Sequence, residues 1–438
     1  MNLKTIYTIV CAVGLAGTGS AMAQPLLLSH SQCREMALAH SEELEQADIR
    51  LRQAELDNRI ATTAYLPKLE GSATGAYVFP DIDMMGMDLR MRGMYMAGIT
   101  LTQPIYTGGK ITAGKRMARI GEAAAGEQLR MARMDILVDA DNAYWTYLAV
   151  GRKVHMLESY CEQMDTLFSQ MSGSLAAGMI IENDLLRIQA KQSEIHYQLQ
   201  KARNGSDLCR LSLCRLIGVD DTTAIVPTDT AWVATEPGLL TAEIDNRPEL
   251  SLLKQQVEIG KLQIKNARAE MLPTVGLSAG YTYYGNIKLN SLVDVGNGTM
   301  MPYSEEFRDG IGMVVLAVKV PLFHWGEVHK KVRKARYELR SAELELQKNS
   351  RLLNLEVQQA MRNVQDGYRL IGTAQIGLQQ AVENLRVMRN RYAASMATLT
   401  DLLDAQSQWQ QAESNLIEAQ TQYKIYETAY LRATGRLE

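Results

Sequence analysis

The sequence predicts a mainly helical protein that also carries a duplicated β-hairpin suited to a membrane β-barrel. The chain has two long segments without proline, residues 105–226 and 322–438, in which apolar side chains recur at steps of three and four. That spacing is typical of coiled coils, and the lack of proline permits unbroken helices. Each segment follows a stretch with period-two alternation, and the whole pattern occurs twice.

The first residues resemble a secretory signal peptide, predicted to span residues 1–23. Lys4 supplies a positive charge, residues 6–16 are apolar, and an Ala-Met-Ala sequence precedes Gln24. We therefore expect an exported protein. No later apolar run reaches the length of a membrane helix. Such a chain stays in the periplasm, is secreted, or enters the outer membrane as β-strands.

Composition argues against several classes of function. The formal net charge is −3, which gives no reason to expect a nucleic-acid partner. The cysteines after residue 23 match no zinc or redox spacing; they are Cys33, Cys161, Cys209 and Cys214. No arrangement of serine, cysteine or histidine indicates catalysis. We therefore expect neither an enzyme nor a cofactor or metal site.

The two halves of the chain repeat the same signals in the same order. The Leu-Pro pair at residues 66–67 recurs at residues 272–273, and the proline at position 104 recurs at position 321. Internal repetition of this kind indicates two copies of one structural unit. We expect repeats at residues 24–219 and 246–438, joined by a linker at residues 220–245.

Each repeat is predicted to begin with a helix and to end with a helical hairpin, at residues 110–217 and 327–434. Heptad seams along the arms indicate left-handed, antiparallel coiled coils. The seam of the first longer arm comprises Ile136, Ala140, Ala143, Tyr147, Val150, Val154, Leu157, Cys161, Met164, Phe168, Met171 and Leu175. That arm would be about 95 Å long at 1.5 Å per residue, which no globular domain requires.

A pair of β-strands is predicted ahead of each hairpin, within residues 68–103 and 274–320. Near position 316 the apolar side chains alternate, and tyrosines collect near one end of the strands. These features are typical of transmembrane strands. A soluble sandwich fits less well because four strands would leave open edges. We expect residues 285–309 to form a surface loop within the second pair.

Four strands per chain cannot close a membrane barrel, because bacterial barrels begin at about eight strands. Lipid also forbids open edges, since no water satisfies their backbone groups. The chain must therefore associate. Two chains would supply eight strands and three chains would supply twelve.

Two acids, Asp401 and Asp404, follow the predicted turn of the second hairpin. A first-turn aspartate can cap backbone N–H groups and complement the helix dipole. Carboxylates near a shared axis could instead line a narrow passage. The two interpretations are compatible.

The duplicated plan resembles the TolC-type outer membrane efflux channels over essentially the whole mature chain. The resemblance rests on the repeated Leu-Pro pairs, the QPIYTGG and VPLFHWG strand ends, the turn from Tyr392 through Thr-Asp-Leu-Leu-Asp-Ala-Gln, and the Ala-Thr-Gly ending. It implies a homotrimer with one shared twelve-stranded barrel in the outer membrane of a Gram-negative bacterium and a helical periplasmic tunnel. It also implies a passive exit duct for efflux or type I secretion, fed by a periplasmic adaptor and an inner-membrane transporter such as an RND-type pump.

The resemblance further implies roles for individual residues. Asp401 and Asp404 match the aspartates that narrow the periplasmic aperture, and Asp184 and Tyr392 match gating contacts. The arginine that joins these contacts in the family is replaced by Ala397. The gating network of this chain must therefore differ.

Three other functions fit parts of the sequence. The methionine-rich loop at residues 84–96 is compatible with a copper or silver efflux channel, because thioethers bind Cu(I). A periplasmic adaptor also contains a helical hairpin, but we would expect a single one between soluble β-domains. A fibrous coiled-coil protein would lack the paired strands and the repeat.

Overall fold

The computed structural model describes residues 25–84, 87–178, 180–229, 236–294, 296 and 299–438. The predicted signal peptide lies outside the described residues. The helices are α1 (His30–His40), α2 (Glu42–Thr63), α3 (Lys110–Ala176), α4 (Glu182–Ile217), α5 (Pro248–Ala269), α6 (Glu327–Ala393) and α7 (Leu399–Ala433). The strands are β1 (Leu26–Leu28), β2 (Lys68–Tyr77), β3 (Ile82–Met84), β4 (Met87–Arg90), β5 (Arg92–Thr107), β6 (Ile225–Pro227), β7 (Thr274–Asp294) and β8 (Met300–Lys319).

The ends of the helices follow from local sequence. Ser29 and Gln32 form a capping box that starts α1, and Pro248 stands at the start of α5, where a missing N–H costs nothing. Gly218 ends α4 in the left-handed conformation (φ 70°). None of the described helices contains a segment both long and apolar enough to cross a membrane.

The chain forms two compact units, and each draws on both halves of the sequence. We call the first the helical unit; it comprises Met1–Glu42, Arg133–Ala242 and Gln358–Glu438. The second, the strand unit, comprises Glu43–Ala132 and Glu243–Val357. Helices α3 and α6 contribute to both units. The predicted boundaries between sequence repeats remain a prediction.

The strand unit contains an antiparallel sheet whose long strands are ordered β2-β5-β7-β8. Directly paired residues project to the same face of a sheet. One face is therefore almost wholly apolar: it carries Leu69, Ala73, Ala97, Ile99, Leu101, Leu277, Ala279, Tyr281, Val314, Leu316 and Val318. On β2, β5 and β7 the opposite face carries mainly polar side chains, among them Lys68, Glu70, Ser72, Thr74, Thr100, Thr102, Ser278 and Thr282. On β8 that face carries Lys319 and the apolar side chains of Ile311, Met313, Val315 and Ala317.

The predicted surface loop at residues 285–309 is wrong in its extent, because most of it belongs to β7 and β8. The register slips between Tyr284 and Ile287, and pairing then continues to the end of the hairpin. Asn286 occupies the slip with φ 61°, and its side-chain amide donates to the carbonyl oxygens of Arg92 and Gly93 at 3.0 Å each. Because the bulged residue provides hydrogen bonds to neighbouring backbone carbonyls, the pairing of β7 with β8 can continue beyond the bulge. The methionine-rich segment also contributes β3 and β4, which extend the sheet beside β7.

The helical unit packs the arms of α3, α4, α6 and α7 around one apolar cluster. It includes Leu157, Cys161, Met164, Met171, Ile188, Ile195, Leu385 and Leu402. Most of the predicted α3 seam within this unit is buried or half-buried. Helix α3 also buries Leu137, Tyr144, Leu148 and Tyr160, which the seam omits. The buried stripe is wider than a two-helix seam because the arm packs against more than one neighbour.

Candidate functional site

The turn between α6 and α7 places the two predicted acids at the start of a helix. Ser395 adopts a left-handed conformation (φ 59°), which glycine would tolerate more easily. The backbone N–H of Met396 donates to the carbonyl oxygen of Arg391 at 2.8 Å and closes the end of α6. The Met396 side chain is 79% exposed. This turn therefore presents its side chains to solvent.

Asp401 forms a reciprocal capping box with Thr398. Its carboxylate accepts hydrogen bonds from the Thr398 backbone N–H (2.9 Å) and hydroxyl (2.7 Å), while its own N–H donates to the Thr398 hydroxyl (3.2 Å). The hydrogen bond from the Thr398 hydroxyl, followed by that from its backbone, lowers the pKa of Asp401. Asp401 is thus an ionised helix cap at neutral pH.

Asp404 is exposed and lies one turn farther along α7. Within the part of the chain that the structure describes, its carboxylate has no hydrogen-bond or ion-pair partner. Capping therefore explains Asp401 and leaves Asp404 without a local structural role. The two acids differ in a way that the sequence alone did not indicate.

The predicted gating residues Tyr392 and Asp184 lie near each other in the helical unit. Tyr392 packs half-buried against the apolar cluster, and its hydroxyl donates to the sulfur of Met171 at 2.9 Å. Burial, and secondly the charge of Asp184, raises the pKa of Tyr392. Their side chains form no hydrogen bond with each other among the described contacts. Tyr392 and Asp184 therefore interact through the charge of Asp184 and not through a direct hydrogen bond.

Two cations near the turns were not singled out from the sequence. Arg187, in the second turn of α4, donates to the Thr400 hydroxyl of α7 at 3.0 Å. Arg389 of α6 donates to the side-chain oxygen of Gln163 on α3 at 2.7 Å. Each contact ties an arm of one hairpin to an arm of the other. Arg187 thereby joins α4 to the start of α7.

A buried carboxylate joins three segments of the helical unit. Asp141 on α3 is fully buried and accepts two hydrogen bonds from Arg34 (2.7 and 2.6 Å), one from the Thr428 hydroxyl (2.5 Å) and one from His30 Nε2 (2.6 Å). Burial alone would raise the pKa of Asp141, but the bonds from Arg34, His30 and Thr428 hold it at about 2. Sequence reasoning missed this cluster, because its members are far apart in the chain.

The sequence matches that of the outer membrane efflux proteins over residues 33–219 and 239–436. This match spans both repeats and all four long helical arms. The chain belongs to the outer membrane efflux protein family. The family consists of channel proteins, and channels of this type are trimeric and work with adaptor and inner-membrane pump partners.

Similar proteins agree in sequence and fold. Protein CyaE of Bordetella pertussis is 24% identical, with the alignment covering 92% of this chain and 83% of that protein. Outer membrane protein TolC of Escherichia coli is 23% identical, covering 99% of this chain and 87% of that protein. The crystal structure of the Campylobacter jejuni CmeC outer membrane channel superposes with a TM-score of 0.78 at 18% identity, covering 93% of this chain and 86% of that one.

These findings confirm the predicted fold class and location. The chain has the fold of channels that combine an α-helical tunnel with a β-barrel, and it is an efflux or secretion duct of the Gram-negative outer membrane with its helices in the periplasm. The apolar face of the sheet is the one suited to lipid, and the polar face is suited to the interior of a barrel.

Proposed function

We propose that the protein is a homotrimeric, passive exit duct that receives substrates from a periplasmic adaptor and an inner-membrane transporter such as an RND-type pump. One observation carries the oligomeric part of this proposal. The four-stranded sheet has an apolar face but leaves β2 and β8 as open edges. Because lipid cannot satisfy unpaired backbone groups, β2 of one chain must pair with β8 of the next.

Exposed apolar stripes in the strand unit support the same association. On α2, Ile49 and Leu56 are seven residues apart and 46% and 53% exposed. On α6, Tyr337 and Leu344 have the same spacing and are 62% and 49% exposed. Heptad spacing of exposed apolar side chains favours a coiled-coil contact with a neighbouring chain. Twelve strands from three chains fit the trimers of this family.

The trimer is tested by native mass spectrometry of the detergent-solubilised protein and by oxidative cross-linking of its sheet edges. We expect a mass of three chains, and a covalent trimer when Ser72→Cys in β2 is combined with a cysteine scan of β8. Either single cysteine should give no covalent trimer. A dimeric mass would contradict the twelve-stranded barrel, and cross-links confined to one chain would contradict edge pairing.

We further propose that Asp401 and Asp404 narrow the periplasmic aperture and favour cations there. Both are exposed, and three chains would bring six carboxylates to one passage. Asp404 is the informative residue, because no capping bond competes with an aperture role. Asp401 combines the two roles, so its substitution also loosens the start of α7 by about 1 kcal/mol.

Reversal potentials across a salt gradient distinguish the aperture from a pure helix cap. Asp404→Asn should reduce cation selectivity without changing thermal stability, whereas Asp401→Asn should lower both. The matched control is Asp366→Asn, an exposed aspartate elsewhere on α6. Unchanged selectivity in both turn variants, in channels that still conduct, would leave the acids as structural residues only.

For gating, we propose that Arg187 takes over part of the role of the missing family arginine, together with Asp184 and Tyr392. The bond from Arg187 to Thr400 holds the start of α7 against α4. Arg187→Gln should therefore raise open probability in single-channel records. Arg203→Gln, which breaks the exposed α4–α3 ion pair with Glu158 (2.7 Å), is the control. Equal open probability in the wild type and Arg187→Gln would contradict a gating role.

A further inference from the structure

A groove between α3 and α5 in the strand unit is lined by a cluster of cations. It has a volume of about 600 Å³ and adjoins a second hollow of about 370 Å³. Arg116 and Arg119 enter it from α3, and Lys265 and Arg268 enter it from α5. All four side chains are exposed, and none of them has an ion-pair or hydrogen-bond partner in the residues that the structure describes.

The groove differs from the other charged surfaces of the strand unit. Glu258 and Lys261 also line the groove, but they pair with each other at 2.6 Å. Closer to the strands, Lys110 and Lys331 share Glu270. Arg116, Arg119, Lys265 and Arg268 therefore lack a counter-charge among the described residues, whereas the neighbouring lysines are paired with glutamates. Four like charges around one hollow repel one another, and a bound anion would relieve that repulsion.

The floor of the groove is apolar. Leu262 and Ile264 are buried beneath the cations, and Leu272 is partly exposed at the end nearer the strands. Gly108 makes this close packing of α3 against α5 feasible: it has φ 64°, and a Cβ there would lie 2.7 Å from the carbonyl oxygen of Ala269. A cationic rim over an apolar floor suits an amphiphile better than an inorganic ion.

The groove also begins where the membrane strands end. Helix α3 starts three residues after β5, and α5 ends five residues before β7. Arg116 and Arg119 therefore lie roughly 9 and 14 Å along α3, at 1.5 Å per residue. Leu322, Phe323 and Trp325, which follow β8, are 91%, 70% and 85% exposed. Exposed aromatic side chains at strand ends mark a membrane interface.

We propose that this groove binds the headgroup of an anionic phospholipid, such as phosphatidylglycerol, from the periplasmic leaflet of the outer membrane. The lipid phosphate lies among Arg116, Arg119, Lys265 and Arg268, and the start of an acyl chain lies over Leu262 and Leu272. Arginine provides paired N–H donors that match phosphate oxygens. A cation close to an anionic lipid surface strengthens binding about five-fold.

The test measures binding of short-chain phosphatidylglycerol to the full-length protein in an uncharged detergent, by titration calorimetry. We expect binding that weakens at least ten-fold in Arg116→Gln/Arg119→Gln/Lys265→Gln/Arg268→Gln, because four cations are removed. The control neutralises four exposed cations away from the strand ends, each without an ion-pair or hydrogen-bond partner among the described residues: Lys201, Lys348, Arg351 and Arg362. Equal affinity in wild type and groove variant, or an equal loss in the control, would overturn the proposal.

Further binding measurements distinguish a lipid headgroup from free phosphate as the bound anion. Phosphatidylcholine of the same chain length should bind at least ten-fold more weakly than phosphatidylglycerol, and 500 mM salt should suppress binding. If inorganic phosphate or glycerol phosphate competed at the same concentration as the lipid, the groove would be a free-phosphate site. If the groove variant changed anion block of the channel without changing lipid binding, the groove would face the conduit. Either result overturns the lipid assignment.

A conservative variant keeps the test decisive should the neutralised protein fail to assemble. Arg116→Lys/Arg119→Lys/Arg268→Lys retains every charge and should keep affinity within a few-fold of wild type. The single substitution Arg268→Gln should lower affinity about five-fold. Wild-type affinity in Arg268→Gln, with no preference for phosphatidylglycerol over phosphatidylcholine in the wild type, would refute the site.

Discussion

Neutralising Asp141 should release α1 from the helical unit. In Asp141→Asn the ion pair with Arg34 is lost, and the Arg34 guanidinium stays partly buried without its counter-charge. Breaking a buried pair by removing one partner costs roughly 3–5 kcal/mol. The depressed pKa gives a second measure: about two units below the usual value corresponds to roughly 2–3 kcal/mol. We expect a loss near 3 kcal/mol.

Hydrogen–deuterium exchange measures this loss locally, because Arg34 and His30, which bond to Asp141, both lie on α1 (His30–His40). A change of about 3 kcal/mol in local opening raises exchange roughly a hundred-fold. The matched control is Asp135→Asn, on the same helix, whose ion pair with Arg432 is half-exposed and worth less than about 1 kcal/mol. Equal exchange of α1 in the two variants would refute a role for Asp141 in holding α1 in place.

Three further predictions concern pH, the α6–α7 turn and the packing of α3 on α5. The pKa of Asp141 is lower in the folded state than in the unfolded state, so its carboxylate stabilises the fold fully above about pH 4 and loses that effect as the pH falls towards 2. The difference in unfolding midpoint between the wild type and Asp141→Asn should therefore shrink between these two pH values. Ser395→Gly should stabilise the turn by about 1 kcal/mol in chemical denaturation, because it relieves a left-handed serine, and no change would show that the φ of 59° carries no strain. Gly108→Ala should lower the yield of assembled protein more than Gly109→Ala, since both have positive φ but only Gly108 faces a close neighbour; equal yields would contradict that packing.

The helical framework was largely predictable from the sequence. Proline-free stretches and heptad spacing located the ends of α3 and α6 closely, because both signals are local and long. The wider burial on α3 was not predicted. Tyr144 and Tyr160 are fully buried by helices that pack from other directions, and a single-helix pattern contains no information about those neighbours.

The sequence predicted the presence of the paired strands but not their length. Residues 285–309 contain glycines, asparagines and charged residues, which are typical of loops. Two exposed strands at the end of a long hairpin can nevertheless form backbone hydrogen bonds without an apolar face. The bulge at Asn286 allows the ladder to continue. Backbone pairing, rather than side-chain burial, decides the structure there.

The sequence predicted which residues form the candidate site, and the structure showed how they are arranged. The sequence predicted that both Asp401 and Asp404 lie in the first turn, but in the structure Asp404 lies one turn later. The structure also separates a bonded cap from an unpartnered carboxylate. The Asp141 cluster had no sequence signal, since Thr428 lies 287 residues away in the chain. Contacts of that range depend on the completed fold.

We propose that three chains form one duct with an acidic mouth. Single-channel current of the purified wild-type protein in a planar bilayer tests it most directly. We predict discrete, long-lived conductance steps with a reversal potential shifted towards the cation equilibrium potential. Folded, membrane-inserted protein that gives no steps, or steps that select anions, would contradict the account.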